Sequence, residues 1–200
     1  MSAPAVVWNE IGPTEHFCQF YEDDSVLLDT VDGFIGPGLV AGEAAIVIAT
    51  PPHLKSLVHK LEARGLDVLS LIATDQFIPL DAAETLAKFM NKGWPDQMRF
   101  IELTQGVIKR ASKGNRRVRA FGEMVALLWS EGNRSATIRL EKLWNDIGKS
   151  DKFSLFCAYP KHGFNAEGCH GSLIDICSAH SRVISATGEF GSKTSTTQAS

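Results

Sequence analysis

The residue best placed for chemistry is Glu123. An alternating run, Arg117 to Phe121, leads to Gly122, and a wholly apolar run, Met124 to Trp129, follows the carboxylate. A charge at the seam between two segments patterned for burial stands where a strand hands the chain to a helix. Negative charge is favoured at a helix N-terminus. Gly122 is expected to permit a sharp turn or a close backbone approach there. Glu123 could therefore accept a hydrogen bond from a ligand. Two plainer roles compete, as a cap of its own helix or as the partner of an arginine such as Arg139.

The elements that would position this carboxylate follow from periodicity. The aromatic, alternating run His16 to Tyr21 reads as a strand. Leu27, Val31, Phe34 and Ile35 then recur at helical spacing, with Gly36, Gly38 and Gly42 expected to loosen that helix's end. Ala44 to Thr50 is a short continuous apolar run of the kind buried on both faces in parallel sheets. A helix striped by Leu54, Leu57, Val58 and Leu61 stops at Gly65, and Val68 to Ala73 is expected to be the next strand. Asp81 is expected to cap a helix striped by Ala82, Leu86, Phe89 and Met90, and Asp96 to cap another carrying Phe100 and Ile108. Beyond the strand at 117–121 come a helix with Ala136, Leu140, Leu143, Trp144 and Ile147, then a strand from Phe153 to Tyr159. A helical face carrying Cys169, Leu173, Ile176, Cys177 and His180, and a short edge strand over 182–186, complete the pattern.

Strands alternating with helices predict an α/β fold of three layers, with a mostly parallel central sheet and helices on both faces. Ligands of open parallel sheets gather outside the carboxyl ends of the strands. That rule turns the strand map into candidate ligand-binding residues: Tyr21, Glu22, Thr50, Asp75, Glu123 and Tyr159, with Arg139 as the partner expected for Glu123. Packing is the plainer role for Tyr21 and Tyr159, as it is for Trp129 and Trp144.

Several chemistries are disfavoured. The first expected strand–helix turn, Tyr21-Glu22-Asp23-Asp24-Ser25, has no glycine nest and no lysine, and its three carboxylates would repel phosphate. No GxGxxG or GxSxG occurs. His162, Cys169, His170, Cys177 and His180 fall close together, but without CxxC or HExxH spacing; Cys169, Leu173, Ile176 and Cys177 fit a core stripe equally well, and no metal or cofactor is assigned. Cys18 and Cys157, in central strands, are expected to be buried thiols. A formal net charge of -3 gives no electrostatic reason for nucleic acid or an anionic membrane, and the basic residues from Lys109 to Arg119 read as a solvated helix end and strand start. No apolar run is long enough to span a bilayer and no secretory signal is apparent, which makes the cytoplasm the expected location. Residues 1–13 read as a flexible lead, 14–187 as one domain, and 188–200 as a disordered polar tail.

Six blocks, HFCQFYEDD, FIGPGLVAGEAAIVIAT, LDAAETLAKFM, VRAFGEMVALLW, RLEKLWND and FSLFCAYP, keep their order across about residues 14–186. Together they resemble the MEDS domain, the methanogen/methylotroph, DcmR-type sensory domain. That family is similar to the RecA/KaiC-like fold with its phosphate-binding loop lost. The resemblance implies a non-catalytic sensory module that detects small organic compounds and signals to a histidine kinase or another regulatory protein. With no output domain evident after residue 187, the signal is expected to pass to a separate partner or through self-association. The alternative is a protein–protein interaction module with no small ligand.

Overall fold

The structure is a computed structural model and describes residues 12–161, 170–184 and 190–191. The chain runs through β1 (His16–Tyr21), α1 (Asp24–Val40), β2 (Ala44–Ala49), α2 (Pro51–Ala63), α3 (Val68–Ala73) and β3 (Phe77–Asp81). It continues with α4 (Ala82–Ala87), β4 (Met90–Asn91), β5 (Trp94–Pro95), α5 (Gln97–Ala111), β6 (Val118–Gly122) and α6 (Met124–Ser130). Then follow α7 (Arg134–Ser150), β7 (Phe153–Pro160), α8 (His170–Ala179), β8 (Arg182–Ile184) and β9 (Phe190–Gly191).

The central sheet has the order β3-β2-β6-β7-β1-β8-β9. Its first six strands are mutually parallel, and β9 closes the sheet antiparallel to β8. Because side chains alternate across a strand, the sheet divides the core in two. On one face Cys18, Ile46, Ile48, Ala120, Leu155, Cys157 and Tyr159 pack against α4 to α8 through Leu86, Phe100, Val125, Leu140, Trp144 and Ile176. On the other, Phe17, Tyr21, Val47, Phe121 and Phe156 meet α1 to α3 through Leu27, Phe34, Leu57, Leu61 and Val68. Trp129 and Trp144 are both core residues, as expected, and Cys18 and Cys157 are buried free thiols.

One expected strand is a helix. Val68–Ala73 forms α3, begun by Asp67, whose side chain accepts from the Ser70 N–H. The apolar run suited either state, but the cap decides for helix, and only Val68 of it is buried. The strand proper is the next segment, β3, which carries Pro79 yet lies at the sheet's edge, where proline is tolerated. The stripe expected to run on through Met90 is also cut short. The helix capped by Asp81 ends at Ala87, and Lys92 and Gly93, at φ 48° and 79°, turn the chain into the β4–β5 hairpin.

The glycines of α1 do something other than loosen its end, since the helix runs on to Val40. At Gly38 a methyl group would lie 2.8 Å from Arg119 Nε. Arg119, buried in the middle of β6, crosses that gap to reach Glu43 at 2.5 Å and donates to the Phe34 carbonyl at 2.7 Å. The basic residues expected to be solvated are thus divided: Arg119 is buried and paired, while Arg110 and Lys113 hold Asp75 at the surface.

Candidate functional site

The carboxyl ends of β1, β2 and β6 converge on Glu123. Its backbone N–H donates to the Ile48 carbonyl at 2.9 Å, extending the β2–β6 ladder by one rung. The side chain, 2% exposed, does not cap its own helix α6. Instead it crosses to the start of α2, where the Thr50 N–H donates to Oε2 at 2.8 Å and His53 Nδ1 lies 2.5 Å from Oε1. Pro51 and Pro52 occupy the first helical positions of α2, and proline has no N–H to offer. Glu123 is accordingly the anion that this helix start receives.

His53 links the carboxylate to a second one, with Nε2 3.4 Å from Asp24 Oδ2 in the first turn of α1. The hydrogen bond to Glu123 raises His53 to about 9 against the opposing effect of burial, and the Glu123 and Asp24 charges add to the rise. At neutral pH the ring is an imidazolium between two carboxylates. Tyr21, at the end of β1, stands close enough that burial, then the Glu123 and Asp24 charges, push its phenol well above the usual range. The set combines a buried carboxylate, a charged imidazole and a phenol at the rim, all on the α1–α3 side of the sheet. Gly122 beside it has open space, for an added methyl would meet nothing within 4 Å. Neither a positive φ nor a close approach requires glycine there, contrary to the expected turn.

The structure thus brings together three of the expected site residues, Tyr21, Thr50 and Glu123. Glu22 is at the same rim but exposed, its carboxylate 2.5 Å from Lys161 Nζ. Asp75 is a correction. With 68–73 helical it precedes β3 instead of following a strand, which puts it on the opposite rim, bound to Arg110 and Lys113 and held at about 2 by those hydrogen bonds. Arg139 is a second correction, because it donates to Gln97 on α5 at 2.6 Å, while Glu123 takes His53. Tyr159 points to the other face of the sheet. There it is fully buried and its hydroxyl donates to Glu141 of α7, beside His16, Cys157 and His180.

Sequence reasoning missed His53 and Asp24. His53 follows two prolines at a helix start, and nothing in its local pattern marks it. The signal was positional, since any residue three places beyond a strand end already chosen as rim falls within reach of its neighbours. Of the suggested metal cluster, His162 and Cys169 lie outside the described residues, and Cys177 is only half-buried. His180 joins residues distant in sequence instead.

A mostly parallel sheet between two helical layers gives this chain a fold similar to that of a KaiC-like protein. The uncharacterized protein PH0321 from Pyrococcus horikoshii, solved with an unknown peptide, superposes with a TM-score of 0.64 at 12% identity, over 88% of this chain and 78% of that one. The KaiC-like protein PH0186 from Pyrococcus horikoshii OT3 gives 0.60 at 11% identity, over 92% and 79%. At such identities the likeness is one of fold. Residues 15–181 match the family described as MEDS: MEthanogen/methylotroph, DcmR Sensory domain, and the chain belongs to that family. No curated protein matches the chain. Membership suggests a sensory or regulatory role. Among the described residues no helix is long and apolar enough to cross a membrane.

Proposed function

We propose that the protein is a non-catalytic cytoplasmic sensor whose carboxyl-end rim binds a small organic molecule and passes the signal to a separate protein, such as a histidine kinase or transcriptional regulator. The observation that carries this reading is the buried Glu123 carboxylate, shared between the Thr50 N–H and the His53 ring at the ends of parallel strands. A neutral or cationic ligand with a hydroxyl or amine group suits it, because Glu123 and Asp24 disfavour anions. Contact with His53 or Tyr21 would bias the relative placement of α1 and α2, and through that the surface shown to a partner.

The test is a thermal-shift series with methanol, methylamine and formate on wild-type protein, Glu123→Gln and His53→Gln. The reading expects a saturable rise in Tm with methanol or methylamine that both substitutions remove, and none with the formate anion. An unchanged response in the variants overturns the site, and no response to methanol or methylamine overturns this ligand class.

A second reading, an interaction module without a small ligand, is favoured by Leu69 and Ile72 on α3, 79% and 39% exposed one helical turn apart. Leu69→Lys would abolish capture of a signalling partner under that reading and leave it intact under the first.

A further inference from the structure

His16, Glu141, Cys157 and His180 come from three different elements and the turn after a fourth, and meet between the sheet and the α7–α8 layer. His16 opens β1, Cys157 lies in β7, Glu141 is on α7, and His180 follows α8. The first is 8% exposed and the others at most 1%. None belongs to the rim around Glu123.

The two rings are turned alike. His16 Nδ1 faces Asn145 Oδ1 at 2.9 Å, and that amide is fixed by donating from Nδ2 to the Ala179 carbonyl at 2.8 Å. His180 Nδ1 faces the Ile176 carbonyl at 2.6 Å. Each Nδ1 is therefore the N–H donor, and each Nε2 points inward. His16 Nε2 stands 3.3 Å from Cys157 Sγ and 3.3 Å from Glu141 Oε2, and Cys157 Sγ lies 3.8 Å from that oxygen. His180 Nε2 has no hydrogen bond of normal geometry and is 3.4 Å from Glu141 Oε1. The Tyr159 hydroxyl donates to Glu141 and orients the carboxylate.

We propose that these four side chains form a tetrahedral binding site for a divalent transition ion of the zinc type, bound by His16 Nε2, His180 Nε2, Cys157 Sγ and one Glu141 oxygen. All four donor atoms already lie within 4.8 Å of one another. Bonds of about 2.0–2.3 Å to a tetrahedral ion set neighbouring donors roughly 3.3–3.8 Å apart; His16 Nε2, Cys157 Sγ and Glu141 Oε2 already stand at that spacing, and a small shift would bring in His180 Nε2, now beside Oε1. Outer acceptors that lock histidine tautomers are the usual surroundings of metal-bound imidazole. Two nitrogens, a thiolate and a carboxylate match zinc better than magnesium or calcium. Four protein donors leave no open position, so the site is structural or sensory. A cleft of about 350 Å³ touching His16 and Asn145, and another of about 310 Å³ touching Glu141 and Asn145, border the cluster. On binding, the Cys157 thiol proton and any proton on His180 leave to solvent.

The competing arrangement is a metal-free ion pair of Glu141 with His180. The two are separated with the full-length chain, stripped with a chelator under reducing conditions and titrated with Co²⁺. One equivalent is expected to give tetrahedral d–d bands and a sulfur-to-cobalt charge-transfer band, both removed by one equivalent of Zn²⁺. Cys157→Ser is expected to lose the charge-transfer band, while Cys18→Ser and Cys177→Ser keep it. Asn145→Ala, which removes the acceptor of the His16 Nδ1–H and the donor to the Ala179 carbonyl beside His180, is expected to weaken Co²⁺ binding about 10–100-fold. X-ray absorption of the cobalt-loaded wild type needs no variant to fold, and is expected to give two imidazoles and one sulfur. Absence of a tetrahedral spectrum, retention of the sulfur band in Cys157→Ser, or absorption without imidazole or sulfur each overturns the site.

Discussion

His53 Nδ1 and Glu123 Oε1 lie 2.5 Å apart, and this contact fastens the start of α2 to the end of β6. It is the main cause of the rise of the imidazole to about 9. Replacing Glu123 with Gln keeps an acceptor for the Thr50 N–H but removes the charge. The His53 pKa in Glu123→Gln is expected to fall toward the ordinary 6.5, read from its ring proton shifts in an NMR titration.

The same elevation makes stability depend on pH with a definite sign. A histidine raised in the folded state contributes stability that is complete below its unfolded value of 6.5 and is lost as pH rises through about 9. Wild-type Tm is expected to fall across that window more steeply than that of His53→Gln. The variant should be less stable at pH 6 by on the order of 1–2 kcal/mol, allowing for the ring's partial exposure, and the two curves should converge above pH 9.5 or so. Paired denaturation series at fixed ionic strength measure this.

Two glycines are expected to respond oppositely to alanine. At Gly38 the new methyl collides with Arg119, so Gly38→Ala should cost about 1–3 kcal/mol. Gly122 has a free Cβ position and no positive φ, so Gly122→Ala should be neutral or stabilise by about 0.5 kcal/mol. If a ligand uses that open space, the same change reduces its thermal shift. Urea unfolding with and without methanol or methylamine separates the two effects.

Removing Arg119 takes from Glu43 its nearer cationic partner, leaving Arg117 at 3.7 Å, and takes a buried donor from the Phe34 carbonyl. Arg119→Ala is therefore expected to cost about 1–3 kcal/mol. Asp75→Asn, on the opposite rim, should leave any response to rim ligands unchanged. Thermal shifts of the two variants check both statements.

The layered fold was legible because parallel strands buried on both faces write nearly continuous apolar runs, as in Ala44–Ala49 and, but for Ser154, Phe153–Tyr159, and because Asp81 and Asp96 announce their helices. Val68–Ala73 misled because a six-residue run interrupted only by Ser70 carries no clear period, and the Asp67 cap that settles the matter is a single side chain. Glu123 was legible from its seam. Its partner was not, because the choice between Arg139 and His53 depends on which helix start lies across β2. The Glu141 cluster was least legible of all, since its members are up to 164 positions apart and meet only through the order of strands that sets β1 beside β7.

The twin prolines at the head of α2 have an implication for nucleotides. A triphosphate arriving there would find rings without protons to donate and a resident carboxylate already seated on the Thr50 backbone amide. Grafting a lysine or a run of glycines onto this corner would not by itself confer affinity for ATP. The occupant would first have to be evicted, and its eviction would unfasten the helix that the graft was meant to use.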